Sequence, residues 1–522
     1  MTTLESPSPR NRVRGRTWLF RLLAIVLGLV PFLLSEGALR AFDVGRPDPG
    51  DDPFVGFSEV WPLFVPDATG ARYEIPPAHF KFFRPASFPT VKPEGEFRIF
   101  CLGGSTVQGS PFATETAFSN WLEISLKTHD PSRSWRVINC GGISYASYRI
   151  ALVLKELLKY QPDLFIICEG HNEFLEDRSY ATVKQLPRLV KFPLEMMSRL
   201  RTFQVLQACA RGVLGGAGKP STPRAILGPE VQALLDYQGG LEAYHRDMSW
   251  REAVIAHFGL NLRRMVRMAN GAGVPVVLMN PVANLDIPPF KAQHRAGLSE
   301  DEQRRWDILY SEARTHYATD LRKAIASLEE AVALDDQHAG IHYDLAKCYQ
   351  RLGRLENAKR AFIRAKDEDV CPLRILEPMR KIIQDVARGT GTPFFDADAL
   401  FAGHSSGGIN GSDWLVDHVH PSIVGHQFLA NALTDFLAAE GYLQLNPASV
   451  ADRDRRYREY LATLDDAYFL MGQKRLGNQR LWSEGRGNRV WGTSGEGAEG
   501  PMRTGREQSE VKAVDASANP TL

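Results

Sequence analysis

Ser105, Asn172, Asp417 and His420 lie far apart in the chain, yet together they have the side chains that nucleophilic acyl chemistry requires. A serine hydroxyl is a weak nucleophile at neutral pH and needs a base within hydrogen-bond reach, itself oriented by a third group. His420 offers an imidazole. Asp417, one short turn before it, is close enough to hold the second ring nitrogen and to stabilise the imidazolium. The side-chain amide of Asn172, with main-chain N–H groups from glycine-rich turns, is a donor set for a developing oxyanion. Plainer readings exist for each part. Gly103-Gly104-Ser105-Thr106 also suits a strand-to-helix turn with a capping serine, and His418, His420 and His426 also suit a metal site. Against a metal, neighbouring positions of an extended segment point to opposite sides, and no cysteine or glutamate at ligand spacing joins the histidines. Neither a metal nor a cofactor is expected.

A parallel sheet is what can bring these residues together. Phe97, Ile99, Phe100 and Leu102 form the near-continuous apolar run of a strand covered on both faces, and Gly103 and Gly104 let the chain turn sharply into a helix from about Thr116. Trp135 to Asn139 reads as a second strand ending in Cys140-Gly141-Gly142-Ile143-Ser144-Tyr145, followed by a helix from Tyr148 to Tyr160. Leu164 to Cys168 is a third strand, ending in Glu169-Gly170-His171-Asn172-Glu173. Gly273 to Asn280 and Thr392 to Asp396 are the fourth and fifth, and a helix from Ser422 to Ala439 follows the Asp417–His420 loop. Repeated strand-helix units imply right-handed crossovers, so the polar loops open on one edge, where ligands of such sheets bind. Asn284 and Asp286, after the fourth strand, suit either a turn before Pro288-Pro289 or the wall of a pocket.

Three of these stretches resemble blocks of the SGNH or GDSL serine hydrolases: Gly103-Gly104-Ser105-Thr106 the first, Gly170-His171-Asn172-Glu173 the third, and Asp417-x-x-His420 the fifth. The resemblance implies an α/β fold, a three-layer α/β/α flavodoxin-like parallel sheet, here with helical insertions. It also implies an ester hydrolase working through an acyl-serine, with Ser105, Asp417 and His420 as the catalytic set. Ser105 and Asn172 would line the oxyanion hole. Aligning Asn139-Cys140-Gly141 on the family's second block puts Ser144 where a glycine N–H is usual, with Gly142 as the fallback donor. Membrane-anchored relatives with Gly-Gly-Ser-Thr include enzymes that move acyl groups on envelope polymers. An O-acyltransferase for envelope polysaccharide is therefore one alternative, and an inactive hydrolase-like scaffold is another.

The rest of the chain sets the context. With 62 basic and 61 acidic side chains among 522 residues the net charge is +1, so no global field recruits nucleic acid. Residues 1–17 are basic and 18–39 are apolar from Leu22 to Leu34, the layout of a membrane anchor with the amino terminus inside, or of a cleaved signal in a secreted protein. The remainder would then lie outside the cytoplasm, acting on an ester-bearing small molecule, glycan or lipid. Residues 40–94 read as an irregular connector, and 95–283 as the first part of the hydrolase domain, with a mostly helical insertion over about 175–271. Residues 284–370 form a helical insertion. There Leu345, Ala346, Tyr349, Gly353, Ala358, Phe362 and Ala365 match a tetratricopeptide unit of about 34 residues, and Ala324, Leu328 and Ala331 a degenerate earlier one. Such a unit can pack on the main domain or receive a protein partner. Residues 371–445 complete the domain, 446–484 form a helical extension and 485–522 a disordered tail. The six cysteines show no Cys-x-x-Cys spacing and assign no disulfide.

Overall fold

The computed structural model describes residues 30–42, 52, 54–177, 201–202, 205, 225–236 and 240–483. The basic segment 1–17, most of the expected anchor over 18–39 and the tail over 485–522 lie outside the described residues. Residues 30–41 are helical, and among the described residues no helix is long and apolar enough to cross a membrane. The chain divides into two units, 1–53 with 180–225 and 54–179 with 226–522. In the smaller, the Glu36 carboxylate accepts the N–H and hydroxyl of Thr202 at 2.9 and 2.8 Å. The larger carries every candidate residue.

Its centre is a parallel sheet of β1 (Glu96–Gly103), β2 (Ser134–Gly141), β3 (Leu164–Cys168), β4 (Val276–Asn280) and β5 (Phe394–Asp396). The order across the sheet is β5-β4-β3-β1-β2, and every pairing is parallel. Gly103 is in register with both Gly141 and Cys168, so β1, β2 and β3 end level and their loops leave from one edge. The order reverses between β1 and β3, the position at which open α/β sheets hold ligands.

Alternation along β1 sends its side chains to two cores. Ile99 and Cys101 join Trp121, Leu122 and Leu126 of α2 (Phe118–His129) and Leu429, Leu433 and Leu437 of α11 (Ile423–Ala439). Phe100 faces the other way, onto Phe88 at 5.5 Å and Phe165 at 6.2 Å. Each such side chain contributes roughly 1.5–3 kcal/mol by leaving water. α3 (Ser147–Leu157) packs against α4 (Met248–Gly271), and α4 against α9 (Glu377–Thr390).

One expectation is corrected. The connector is ordered over part of its length, with Val65–Pro66, Arg72–Glu74 and Ser87–Pro89 forming a small antiparallel sheet that puts Phe88 beneath Phe100. Strands of two or three residues leave no period to read. Of the stretch expected to be mostly helical over about 175–271, residues 178–200, 203–204, 206–224 and 237–239 lie outside the described residues; the described part holds the long helix α4, preceded by short 3-10 turns at Leu234–Asp236 and Gly240–Ala243.

The repeat region forms antiparallel helices α5 (Glu300–His316), α6 (Leu321–Leu334), α7 (Ala339–Arg351) and α8 (Leu355–Asp367). Ala324, Leu328, Ala331, Leu345, Ala346, Tyr349, Ala358 and Phe362 are buried together as their spacing requires. Gly353 turns α7 into α8 with a φ of 70°, a left-handed conformation that suits glycine. Leu285 and Ile409, which flank the repeat helices in the chain, complete that core.

Candidate active site

Ser105 opens the short helix α1 (Ser105–Gln108) directly beyond β1. The two glycines before it are demanded by space: a Cβ on Gly103 would lie 2.3 Å from the Cys168 carbonyl, and one on Gly104 would lie 2.3 Å from the Asn172 amide nitrogen. Gly104 therefore lets the Asn172 amide sit against the serine turn. That amide also donates to the Tyr145 carbonyl at 2.8 Å, which uses one of its two hydrogens.

Asp417 and His420 lie on a tight loop before α11. Val416 N–H donates to the His420 carbonyl at 2.9 Å and Ser422 N–H to the Trp414 carbonyl at 2.7 Å, closing the loop, and the Ser422 hydroxyl then caps α11. Within it, Asp417 Oδ1 accepts the N–H groups of Val419 and His420, while Oδ2 lies 2.7 Å from His420 Nδ1. His420 Nε2 lies 2.7 Å from Ser105 Oγ. With Nδ1–H given to Asp417, Nε2 accepts the serine hydroxyl. Burial pushes the Asp417 carboxyl up, but the neighbouring His420 and His418 and the bonds from His420 and Val419 hold it well below the usual range, so it is ionised.

The other histidines here are committed elsewhere. His171 Nδ1 accepts the Ile375 N–H at 3.1 Å, and His426 Nδ1 accepts the Phe118 N–H at 3.2 Å. His418 packs edge-on against Phe290 at 5.2 Å. Burial lowers His418 to about 4 and His426 to about 3, and it holds His171 well below its ordinary value, so all three are neutral. Among the described residues, no group of His, Cys, Asp and Glu is placed to hold a metal ion.

The loop after β2 treats Gly142 and Ser144 differently. Gly142 N–H is bonded to the Gly103 carbonyl at 2.9 Å, extending the β1–β2 ladder by one step, so the fallback donor is already used. The N–H groups of Ser105 and Ser144 have no hydrogen-bond partner among the described residues. Ser144 has a φ of 61°, an uncommon left-handed conformation for a serine, and a side chain there costs on the order of 1–3 kcal/mol. Asn139 holds this loop: its Oδ1 accepts Gly141 N–H at 2.9 Å, and its amide donates to Val107 O at 2.7 Å and Ser119 Oγ at 2.8 Å. Glu173, after Asn172, accepts the Ser147 N–H at 2.7 Å and so ties the third loop to the start of α3.

The part taken by α13 (Asp466–Ser483) has no local signature in the chain. Its Gln479 amide donates to Ser110 Oγ, Arg475 to the Phe112 carbonyl, and Arg480 to the Val416 carbonyl at 2.8 Å. The terminal helix thus links the chain just beyond Ser105 to the residue before Asp417. Its charged composition marks it only as a helical extension.

Residues 317–370 match the tetratricopeptide repeat family. No curated protein matches the chain. Among solved structures, similarity is found to a mutant of an acetylxylan esterase from Geobacillus stearothermophilus (11% identity, 67% of this chain and 96% of that one, TM-score 0.30). A lipase/acylhydrolase from Enterococcus faecalis is similar at 13% identity over 67% of this chain and 98% of that one, with a TM-score of 0.30. A putative lipolytic protein of the G-D-S-L family from Desulfitobacterium hafniense is similar at 10%, over 65% and 99%, with a TM-score of 0.28. At these scores the functional reading rests on the geometry of the loops.

Two substitutions probe the Asn172 contact. With Asn172 as an oxyanion donor for an ester substrate, Asn172→Ala would lower kcat on the order of 100- to 1,000-fold. Gly104→Ala should cause a comparable loss with Asn172 intact, because the added methyl displaces that amide. Esterase assays on both purified variants check this, and parental rates in both would remove Asn172 from the chemistry.

Proposed function

We propose that this protein is a serine ester hydrolase of the SGNH/GDSL type, built as a flavodoxin-like three-layer α/β/α domain with helical insertions. The observation that carries the reading is the unbroken relay from Asp417 through His420 to Ser105, both links at 2.7 Å, between residues 315 positions apart in the chain. A structural role would not require a serine hydroxyl, an imidazole and an ionised carboxylate in that order.

In this reading Ser105 Oγ attacks the acyl carbon of an ester while His420 Nε2 takes the hydroxyl proton, and Asp417 stabilises the imidazolium. The carbonyl oxygen becomes an oxyanion, bonded by the N–H groups of Ser105 and Ser144 and by the second amide hydrogen of Asn172. Collapse of this intermediate breaks the ester C–O bond, and His420 returns the proton to the departing alcohol. Water, deprotonated by His420, then attacks the acyl-serine and releases the acid. If an acceptor hydroxyl replaces water, the same steps transfer the acyl group.

The basic segment and apolar run at the amino terminus support a single anchor with the hydrolase domain outside the cytoplasm, or secretion if the segment is removed. A short acyl ester of a carbohydrate or lipid is the substrate class that fits this placement. The purified protein should hydrolyse p-nitrophenyl acetate, with Ser105→Ala inactive. Adding a sugar acceptor separates the two outcomes: acetylated sugar identifies a transferase, and acetate alone a hydrolase. No turnover and no acyl-enzyme would favour the scaffold reading.

A further inference from the structure

Asn284, on the loop after β4, is 2% exposed, and all four of its polar groups are paired. Its N–H donates to the His418 carbonyl at 2.9 Å and its side-chain amide to the Asp417 carbonyl at 3.0 Å. Its side-chain oxygen accepts the Asp286 N–H at 2.9 Å, and its own carbonyl accepts Arg374 at 2.9 Å. Two of these bonds thus end on the main chain of the segment that aims His420 at Ser105. Buried groups with every partner present hold one geometry, because any shift leaves a donor or acceptor unpaired.

The repeat insertion grips the same loop from its far side. From α7, Tyr343 donates its hydroxyl to the Asp286 carbonyl at 3.0 Å, and Lys347 pairs with the Asp286 carboxylate at 2.7 Å. Beyond α8, Arg374 also donates to the Ile287 carbonyl at 2.7 Å and faces the buried Asp369. Asp369 in turn accepts the N–H groups of Phe290, Lys291 and Cys371. Leu285 is packed in the repeat core itself. The face of α7 that carries Tyr343 and Lys347 therefore holds a segment of this same chain.

We propose that Asn284 is a positioning residue for the Asp417–His420 pair, seated by the repeat helices through Tyr343 and Lys347 on Asp286 and, from beyond those helices, by Arg374 on its own carbonyl. The inference rests on the serine-hydrolase reading of the site. It assigns the insertion a part in setting the geometry of catalysis, since a displacement of about 1 Å at reacting groups costs up to on the order of 100-fold in rate.

The test uses the full chain, p-nitrophenyl acetate and the variants Asn284→Asp, Lys347→Met and Lys347→Arg. Asn284→Asp keeps the side-chain size but loses the donor to the Asp417 carbonyl, and should lower kcat on the order of 10- to 100-fold with KM within about twofold. Lys347 is partly exposed on a helix, so Lys347→Met should fold and melt close to the parent. It should still lose kcat several-fold, while Lys347→Arg, which can restore the ion pair, should recover it. Should Asn284→Asp fail to fold, the Lys347 pair decides. Parental kcat in Lys347→Met, or a loss that Lys347→Arg does not restore, overturns the inference. Ser105→Ala run alongside keeps the two readings apart: parental turnover there overturns the hydrolase reading itself, whereas an inactive Ser105→Ala beside fully active Asn284→Asp and Lys347→Met overturns only the positioning role.

Discussion

Ser105→Ala and His420→Ala should each lower kcat by on the order of 10⁴- to 10⁶-fold, and the double variant should be little worse than either. The non-additivity is the informative part. In the proposed relay Ser105 Oγ draws its reactivity from His420 Nε2, 2.7 Å away, so either loss disables the same step. Two residues contributing separately, for instance one binding substrate and one stabilising the fold, would give effects that multiply. Neither truncation is expected to unfold the chain, because the loops are held by main-chain bonds and by Asn139, Glu173 and Asn284, whose side chains remain. Steady-state kinetics on the three purified variants, with melting curves, check both statements.

Asp417→Asn should lose on the order of 10⁴-fold in kcat while keeping the fold. An asparagine in the same pose can still accept the Val419 and His420 N–H groups on its oxygen. It then presents an NH₂ to His420 Nδ1 where the carboxylate accepted a proton. The imidazole is forced into the tautomer with its proton on Nε2, facing Ser105, and cannot take the hydroxyl proton. Loss of the carboxylate also removes the charge that stabilises the imidazolium. Because Asp417 is held ionised well below the usual carboxylate range, the parent should not lose activity through its protonation at mildly acidic pH. An Asp417→Asn variant within tenfold of the parent in kcat would contradict this assignment.

Much of the sheet and of the site could be read from the chain, for a physical reason. Strands buried on both faces are almost wholly apolar, so Leu164–Cys168 has the bounds expected, and β1 and β2 differ by one or two residues at their ends. Polar residues and glycines then gather where those strands stop, which singled out Ser105, Asn172 and the loop holding Ser144. The small residues of the repeat were legible because Ala346 and Ala358 fall at the repeat's spacing, and both are buried in its core. What stayed hidden depends on partners distant in the chain. Nothing local tells which of two adjacent glycines donates its N–H to Gly103, or that Ser144 is left-handed. Asn284 before prolines suits an ordinary turn, and its role emerges only from Asp417, 133 residues away, and from Arg374. The completion of the repeat core by Leu285 and Ile409 is hidden for the same reason.

Covalent capture tests most directly whether Ser105 is a nucleophile activated by His420. The full-length protein is treated with a fluorophosphonate probe, digested, and the modified residue mapped by mass spectrometry. Labelling should fall on Ser105, be absent in Ser105→Ala, and be strongly slowed in His420→Ala although its serine is intact. Labelling confined to another serine, or undiminished in Ser105→Ala, would contradict that role.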